Sequence, residues 1–122
     1  MNDDPKPNID QRLSLIFNAL GDPTRRKLLS LLREAGELKV GHLAEAFEIS
    51  LNGVSKHVKV LERAGLIRRR IEGRVHWIHV DWSGLAIAYD WLDAQKHFWD
   101  QRLDALEHHL ENSVDSRKDH ES

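Results

Sequence analysis

The sequence has 122 residues, of which 40% are apolar and 31% charged, so length and composition suit one globular domain with a single core. No residue is cysteine, which excludes disulfide bonds, thiol redox chemistry and thiolate metal sites. The first residues, MNDDPKP, are polar and acidic, so no secretory signal is expected, and no apolar run approaches the length of a membrane span. We therefore expect a cytoplasmic protein.

The net charge of −2 averages two segments of opposite sign. Residues 50–76 hold seven lysines and arginines against two glutamates, a local charge of +5. Residues 81–112 hold seven carboxylates against two basic residues, a local charge of −5. The first segment favours contact with a polyanion and the second disfavours it. Two solvated faces of opposite sign are the alternative explanation.

Residues 1–8 are expected to form a disordered arm, followed by two helices. Apolar residues at helical spacing predict a first helix that stops at Gly21; they are Ile9, Leu13, Ile16, Phe17 and Leu20. Asp22 then provides an N-cap and Pro23 a first helical residue. The second helix is rich in leucine, ends near Gly36 and is expected to lie in the core.

The next two helices are predicted to form a helix-turn-helix. A short helix over 40–47 begins after Lys39, which is a poor N-cap. The connection 48–50 leads to a fourth helix that Ser50 caps and whose apolar stripe is Val54, Val58 and Leu61. Gly65 is suited to terminate this helix in a left-handed conformation. Two short helices with a tight connection are typical of a helix-turn-helix.

A β-hairpin is predicted directly after the fourth helix. Segments 66–71 and 75–80 are rich in strand-forming residues, and Gly73 lies at the turn between them. Because side chains alternate along a strand, the first and third of the arginines at 68–70 share one face and the second lies on the other. A hairpin in this position is the wing of a winged helix.

The last predicted helix, from about Ser83 to Glu111, is the longest and contains one glycine, Gly84. Its apolar residues follow steps of four and three, a heptad seam interrupted by Lys96. A second apolar stripe lies beside the seam, and one short chain has little left to cover both. We therefore expect the same helix of a second copy to cover one stripe. The alternative is a long helix buried within its own monomer.

Together these elements predict a mainly α fold with a small β-hairpin. It is a winged helix-turn-helix of five helices plus a wing, with a long C-terminal dimerisation helix. The DNA-binding and dimerisation domain is expected to span residues 9–112, and 113–122 to form a polar tail. The predicted dimerisation residues are Leu13, Leu85, Tyr89, Leu92, Trp99, Leu103, Leu106 and Leu110.

Three stretches of sequence resemble the ArsR/SmtB-type bacterial repressors. LGDPTRRKLL at 20–29 resembles the opening motif of that family, and VSKHVKVLERAGLI at 54–67 resembles its recognition helix running into the wing. Residues 98–107 resemble the final helix of a cysteine-poor branch. The resemblance covers about residues 9–111. It implies a homodimeric repressor, joined through its first and last helices, that binds a palindromic operator in double-stranded DNA and answers to an unknown small-molecule or ion effector.

In a helix-turn-helix the second helix enters the major groove with its N-terminal half against the bases. Because Val54, Val58 and Leu61 face inward, the outward residues are Leu51, Asn52, Ser55, Lys56 and Lys59. Asn52 is suited to adenine and Lys56 to guanine or a phosphate. Arg74, at the wing tip, is the strongest candidate for a phosphate or minor-groove contact. The predicted DNA-binding residues are Ser50, Asn52, Ser55, Lys56, His57, Lys59, Arg69, Arg74 and His76.

The eight histidines raise the question of a metal site. Lys39 and Gly41 stand where the family's third-helix site has thiolates, and in the family's last-helix register only Asp81 and His97 match, too few for zinc. A shifted match on the last helix includes an amide, which is a poor zinc ligand. We therefore expect no metal and no cofactor. Any bound ion would draw its ligands from His97, His108, His109 and Glu111.

An enzyme is not expected, because no phosphate-binding glycine loop, nucleophile elbow or close carboxylate pair is visible. The remaining alternative is a winged helix that acts as a protein-interaction module without DNA binding. The arginines of the wing and the lysines of the fourth helix favour DNA.

Overall fold

The computed structural model describes residues 8–120, with side chains described to residue 113. Five helices and three short strands follow one another in the chain. In order they are α1 Ile9–Leu20, α2 Pro23–Ala35, β1 Glu37–Lys39, α3 Val40–Phe47, α4 Leu51–Arg63, β2 Ile67–Glu72, β3 Val75–Val80 and α5 Trp82–His120. The strands form one antiparallel sheet in the order β1-β3-β2. The predicted winged helix-turn-helix is confirmed, and β1 is an addition to the predicted hairpin.

The corner between α1 and α2 is fixed by the residues of the opening motif. The Asp22 carboxylate accepts a hydrogen bond from the Arg25 backbone N–H at 3.0 Å and so caps α2. The Arg25 side chain reaches back and donates to the Ala19 carbonyl at 2.7 Å, and Arg26 donates to the Leu20 carbonyl at 2.7 Å. Carbonyls at the end of a helix lack intrahelical partners, so these arginines satisfy the end of α1. In this motif, Asp22, Arg25 and Arg26 stabilise the corner.

The core is built from apolar side chains of every helix and of the two longer strands. Its fully buried large members are Ile16, Leu28, Leu32, Leu43, Val54, Val58, Leu61, Leu66, Ile67 and Ile78. Burying one such side chain contributes about 1.5–3 kcal/mol relative to leaving it exposed. This core fixes α4 against α2 and β2 and therefore determines which face of α4 remains outside.

Backbone geometry confirms the predicted end of α4 and the predicted turn of the wing. Gly65 has φ 74°, and the Leu66 N–H donates to the Leu61 carbonyl at 3.0 Å, which closes α4 in the manner of a Schellman motif. Gly73 has φ 63° in the two-residue turn of the hairpin, where Glu72 pairs with Val75.

The start of α5 is tied to the end of α4. The Asp81 N–H donates to the Leu66 carbonyl at 2.8 Å, and the Asp81 carboxylate accepts a hydrogen bond from the Ser83 N–H at 3.0 Å. Gly84, in the first turn of α5, lies directly against the backbone carbonyl of Gly65. These contacts fix the first turn of α5 against the end of α4.

The chain divides into two units, one up to Ala88 and one from Tyr89 onward. The second unit is the continuation of α5, which runs past the predicted end at Glu111 and into the predicted polar tail. The predicted N-terminal arm lies outside the described residues, except that Asn8 caps α1. No helix among residues 8–120 is long and apolar enough to cross a membrane.

Two predicted dimerisation residues belong to the core of the first unit. Leu13 is 9% exposed, and Leu85 is half-buried against the core cluster. Both side chains pack within their own unit, and their role in dimerisation stays a prediction. The other six, from Tyr89 to Leu110, are exposed. Periodicity groups both kinds on one stripe, because it does not distinguish a stripe that packs on its own monomer from one that continues beyond it.

Candidate nucleic-acid interface

The turn of the helix-turn-helix is made by Glu48, which adopts a left-handed conformation with φ 53°. The Glu48 N–H donates to the Glu45 carbonyl and the Ile49 N–H to the Ala44 carbonyl, both at 3.3 Å. Ser50 then begins the next helix, because its hydroxyl oxygen accepts a hydrogen bond from the Gly53 N–H at 3.1 Å. The connection of three residues is thus the one that the sequence predicted.

The helix α4 has one buried and one polar, solvent-exposed face. Val54, Val58 and Leu61 are at most 1% exposed and hold the helix on the core. The outer face carries exposed side chains from the first turn to the last; they are Leu51, Asn52, Lys56, Lys59 and Arg63. In the part of the chain that the structure describes, the lysines and Arg63 form no ion pair, so their charges face solvent.

Two residues predicted to contact DNA have roles inside the domain. Ser50 uses its hydroxyl oxygen as the cap of α4. His57 is half-buried, with Nδ1 3.9 Å from the Asp22 carboxylate at the start of α2. Ser50 precedes the predicted recognition helix and His57 lies in it, and their side chains are directed to neighbouring backbone and carboxylate groups. A third predicted DNA-binding residue, Ser55, is half-buried beside the wing.

The three consecutive arginines of β2 are all paired. Arg68 donates to Asp81 at 2.8 Å. Arg70 reaches across the neighbouring strand to Glu37 of β1 at 2.6 Å and also donates to Glu72 at 2.8 Å. The bond from Arg70 to Glu37 links β2 to β1 across β3, and both guanidinium groups already have a carboxylate partner.

Arg69 and His76, both predicted to contact DNA, join the wing to α4, and their contact with DNA stays a prediction. The Arg69 Nε donates to Glu62 at 3.2 Å, and the guanidinium donates to Nδ1 of His76 at 2.8 Å. Because Arg69 is the donor, His76 Nδ1 is an acceptor and carries no proton in this arrangement. Both side chains are half-buried. They position the wing relative to the helix.

Arg74 differs from the other arginines of the wing. It lies in the hairpin turn, is exposed, and makes no side-chain hydrogen bond or ion pair with any residue that the structure describes. Burial and pairing thus leave Arg74 as the arginine of the hairpin that is available to an external anion.

An open cleft lies between the wing, α3 and the first turn of α4. Its volume is about 530 Å³. Leu51 and Ser55 of α4 lie on one side, and Arg74 and His76 of the wing on the other. The remaining lining residues are Lys39, Val40, Gly41, His42, Glu45, Arg69 and Val75. The cleft shows that the first turn of α4 and the wing tip border one accessible surface.

Hydrogen bonds hold three carboxylates ionised. The Arg25 backbone N–H lowers the pKa of Asp22, the Arg70 guanidinium lowers the pKa of Glu37, and the Ser83 hydroxyl followed by Arg68 lowers the pKa of Asp81. Each carboxylate anchors a junction: the start of α2, the edge of the sheet and the start of α5.

We expect the domain to lose stability on acidification below about pH 4. The pKa values of these three carboxyl groups are lower in the folded state than in the unfolded state, so at acidic pH the unfolded chain binds more protons than the folded one. The stability that the carboxylates contribute is therefore complete above the unfolded-state pKa and is lost as the pH falls through the folded-state pKa. Urea unfolding between pH 7 and pH 2.5 measures this. The free energy of unfolding of the Asp81→Asn variant should decline less with falling pH than that of the wild-type chain. An identical decline in the two chains would contradict the role given to Asp81.

His97, His108 and His109 of the last helix do not form a metal-binding cluster. No group of three or more metal-ligating side chains is present within the described residues. His97 contacts Gln101 one turn later, with 3.3 Å between their nitrogens. The sequence prediction that the chain binds no metal stays a prediction.

A helix-turn-helix whose second helix and wing tip present unpaired cations defines a winged-helix, DNA-binding class of protein. Known proteins agree with this class. A family model of a helix-turn-helix domain matches residues 20–70. The transcriptional repressor SdpR of Bacillus subtilis (strain 168) is 34% identical over 77 residues, which cover 63% of this chain and 84% of SdpR.

Two solved structures are similar over most of the chain. The crystal structure of an ArsR family transcriptional regulator is 34% identical with a TM-score of 0.70, covering 78% of this chain and 97% of that one. The homodimeric winged helix-turn-helix DNA-binding domain Mb0332 from Mycobacterium bovis is 25% identical with a TM-score of 0.60, covering 80% of this chain and 91% of that one. This chain belongs to the ArsR family of transcriptional regulators. It is a DNA-binding regulator and not an enzyme.

Proposed function

We propose that the protein is a homodimeric repressor that binds a palindromic operator through the outer face of α4 and the tip of the wing. The observation that carries this proposal is the set of exposed cations without an ion pair on the outer face of α4 and at the wing tip. Lys56 and Lys59 are exposed on α4, and Arg74 is exposed at the wing tip. Such groups can displace the counterions of a phosphate backbone without first breaking an ion pair.

Base recognition is assigned to the N-terminal half of α4. Asn52 is exposed in its first turn and has an amide suited to the paired donor and acceptor of adenine. Lys56, one turn later, can donate to guanine or hold a phosphate. Lys59 and Arg74 supply contacts to the backbone, which set register and carry no sequence information. Ser55 completes the surface beside the wing.

The second unit supplies the surface for dimerisation. Its heptad seam is exposed along its length, with Trp99 60% and Leu103 58% exposed. The relative Mb0332 is homodimeric, and a symmetric pair of chains would present two copies of α4. Half-sites about 34 Å apart, one turn of DNA, would then be read by both copies at once. Repression is proposed because SdpR is a named repressor.

Selection from a pool of random duplexes tests the function without knowledge of the operator. The full chain should enrich an inverted repeat whose half-sites lie about 10 base pairs apart. It should bind that duplex far more tightly than a shuffled one of equal length. Failure to enrich any sequence at low salt would contradict the proposal and favour the protein-interaction module.

Arg74→Ala should weaken binding to every duplex and flatten its salt dependence. Each phosphate contact contributes about 0.9 to the slope of log K against log salt, so the slope should fall by about 0.9 for each chain bound. The matched control is Arg68→Ala, which removes the same charge from an arginine already paired with Asp81. Anisotropy titrations from 50 to 200 mM salt measure both. Equal slopes in the two variants would contradict the assignment of Arg74.

A further inference from the structure

Leu51 is an apolar residue that is not buried in the core and lies among polar and charged residues on the outer face of α4. It is the first residue of α4 and is 58% exposed, whereas the inward stripe of the same helix is at most 1% exposed. Leu51 is a large apolar side chain exposed on α4, whereas the other exposed side chains of this helix are polar or charged. Leu51 is therefore available to an external apolar group.

The position of Leu51 restricts what that group is. The capping bond from the Gly53 N–H to Ser50 fixes the turn in which Leu51 lies. Ser55, one turn along the same face, and Arg74 across the cleft border the same surface as Leu51. On the proposed function, this is the end of α4 that approaches the floor of the major groove, while Arg74 meets the backbone.

The edges of the bases in the major groove offer mainly hydrogen-bonding groups and one apolar group, the C5-methyl of thymine. We propose that Leu51 recognises thymine in the operator by packing against this methyl group. The inference rests on the proposed function and adds one base to it. Leu51 is thus a specificity-determining residue that acts through apolar contact beside the polar contact of Asn52.

Replacing thymine by deoxyuridine tests this contact, because it deletes the methyl group and leaves the base pair's hydrogen bonds unchanged. The probe is the duplex enriched from the random pool, with each thymine replaced singly. For the wild-type chain we expect at least one replacement in each half-site to weaken binding about fourfold, which corresponds to about 0.8 kcal/mol for one buried methyl-sized group.

The Leu51→Ala variant completes a double-mutant cycle. This variant should bind the thymine duplex several-fold more weakly than the wild-type chain does. Its affinity should not fall further on the deoxyuridine duplex that weakens binding of the wild-type chain. The matched control is Ile71→Ala, which shortens an exposed apolar side chain of β2 and should retain the fourfold sensitivity.

Each outcome distinguishes this inference from the function on which it rests. A duplex that is bound specifically but is insensitive to every deoxyuridine replacement overturns the role of Leu51 and leaves the regulator intact. The same holds if Leu51→Ala keeps the wild-type sensitivity, or if the enriched half-site contains no thymine. A chain that enriches no duplex overturns the proposed function, and the inference with it.

Discussion

Gly84→Ala is expected to destabilise the first unit by about 3 kcal/mol, near the upper end of the usual cost of overpacking. A Cβ at this position would lie 1.9 Å from the carbonyl oxygen of Gly65 and 2.7 Å from its carbonyl carbon. Both are backbone atoms, which cannot rotate away as the end of a flexible side chain does. Gly65 is itself fixed by its φ of 74° at the end of α4.

The start of α5 therefore has to move if Gly84 gains a side chain. That movement would strain the bond from the Asp81 N–H to the Leu66 carbonyl. Thermal and urea unfolding of the full chain measure the loss, which should lower the melting temperature by more than about 10 °C.

The control for this variant is Gly41→Ala in α3. A Cβ at Gly41 meets no atom within 4 Å, so the substitution should leave stability unchanged or raise it by up to about 1 kcal/mol through the better helix propensity of alanine. If Gly84→Ala unfolds at the wild-type temperature, the close approach of α5 to Gly65 is wrong.

Leu103→Glu is expected to abolish dimerisation and, with it, tight DNA binding. Leu103 lies in the middle of the exposed seam of the second unit. A symmetric interface would contain the substitution twice, and each copy would lose the burial of a leucine, about 2 kcal/mol, and place a carboxylate in an apolar contact. The dimer dissociation constant should rise by at least about a thousandfold.

Light scattering after size-exclusion chromatography, at micromolar concentration, distinguishes one chain from two. The matched control is Gln101→Glu, which adds the same charge about half a turn away from the seam on the same helix. The control should remain a dimer and bind DNA as the wild-type chain does. A Leu103→Glu variant of dimeric mass with wild-type affinity would contradict the seam as the interface.

The sequence predicted the elements well where the signal is local. Ser50, Asp22 and Gly65 act as caps and terminator as expected, because capping depends on residues three or four positions away. Periodicity also identified the inward stripe of α4. The three-residue strand β1 was missed, since it is too short to show alternation.

The roles of the charged residues were less predictable, because pairing depends on positions that are distant in the sequence. Arg70 finds its partner Glu37 thirty-three residues away. Arg69 and His76 were predicted to meet DNA from the charge of the wing alone, but the register of β2 with β3 brings them together beside Glu62. Arg74 is exposed and has no partner among the described residues, because it lies in the turn where no strand neighbour is positioned to pair with it. Its contact with DNA stays a prediction.

Fluorescence anisotropy of the purified chain, titrated into its own upstream DNA and into a scrambled duplex at one fixed salt concentration, tests the central claim most directly. We predict strong preference for one specific duplex, with two chains bound at saturation. The operator can lie at a site other than the DNA upstream of the protein's own gene. The duplex enriched from the random pool therefore serves as the second probe in the same assay. Weak and equal affinity for all of these duplexes would contradict sequence-specific recognition by α4 and the wing.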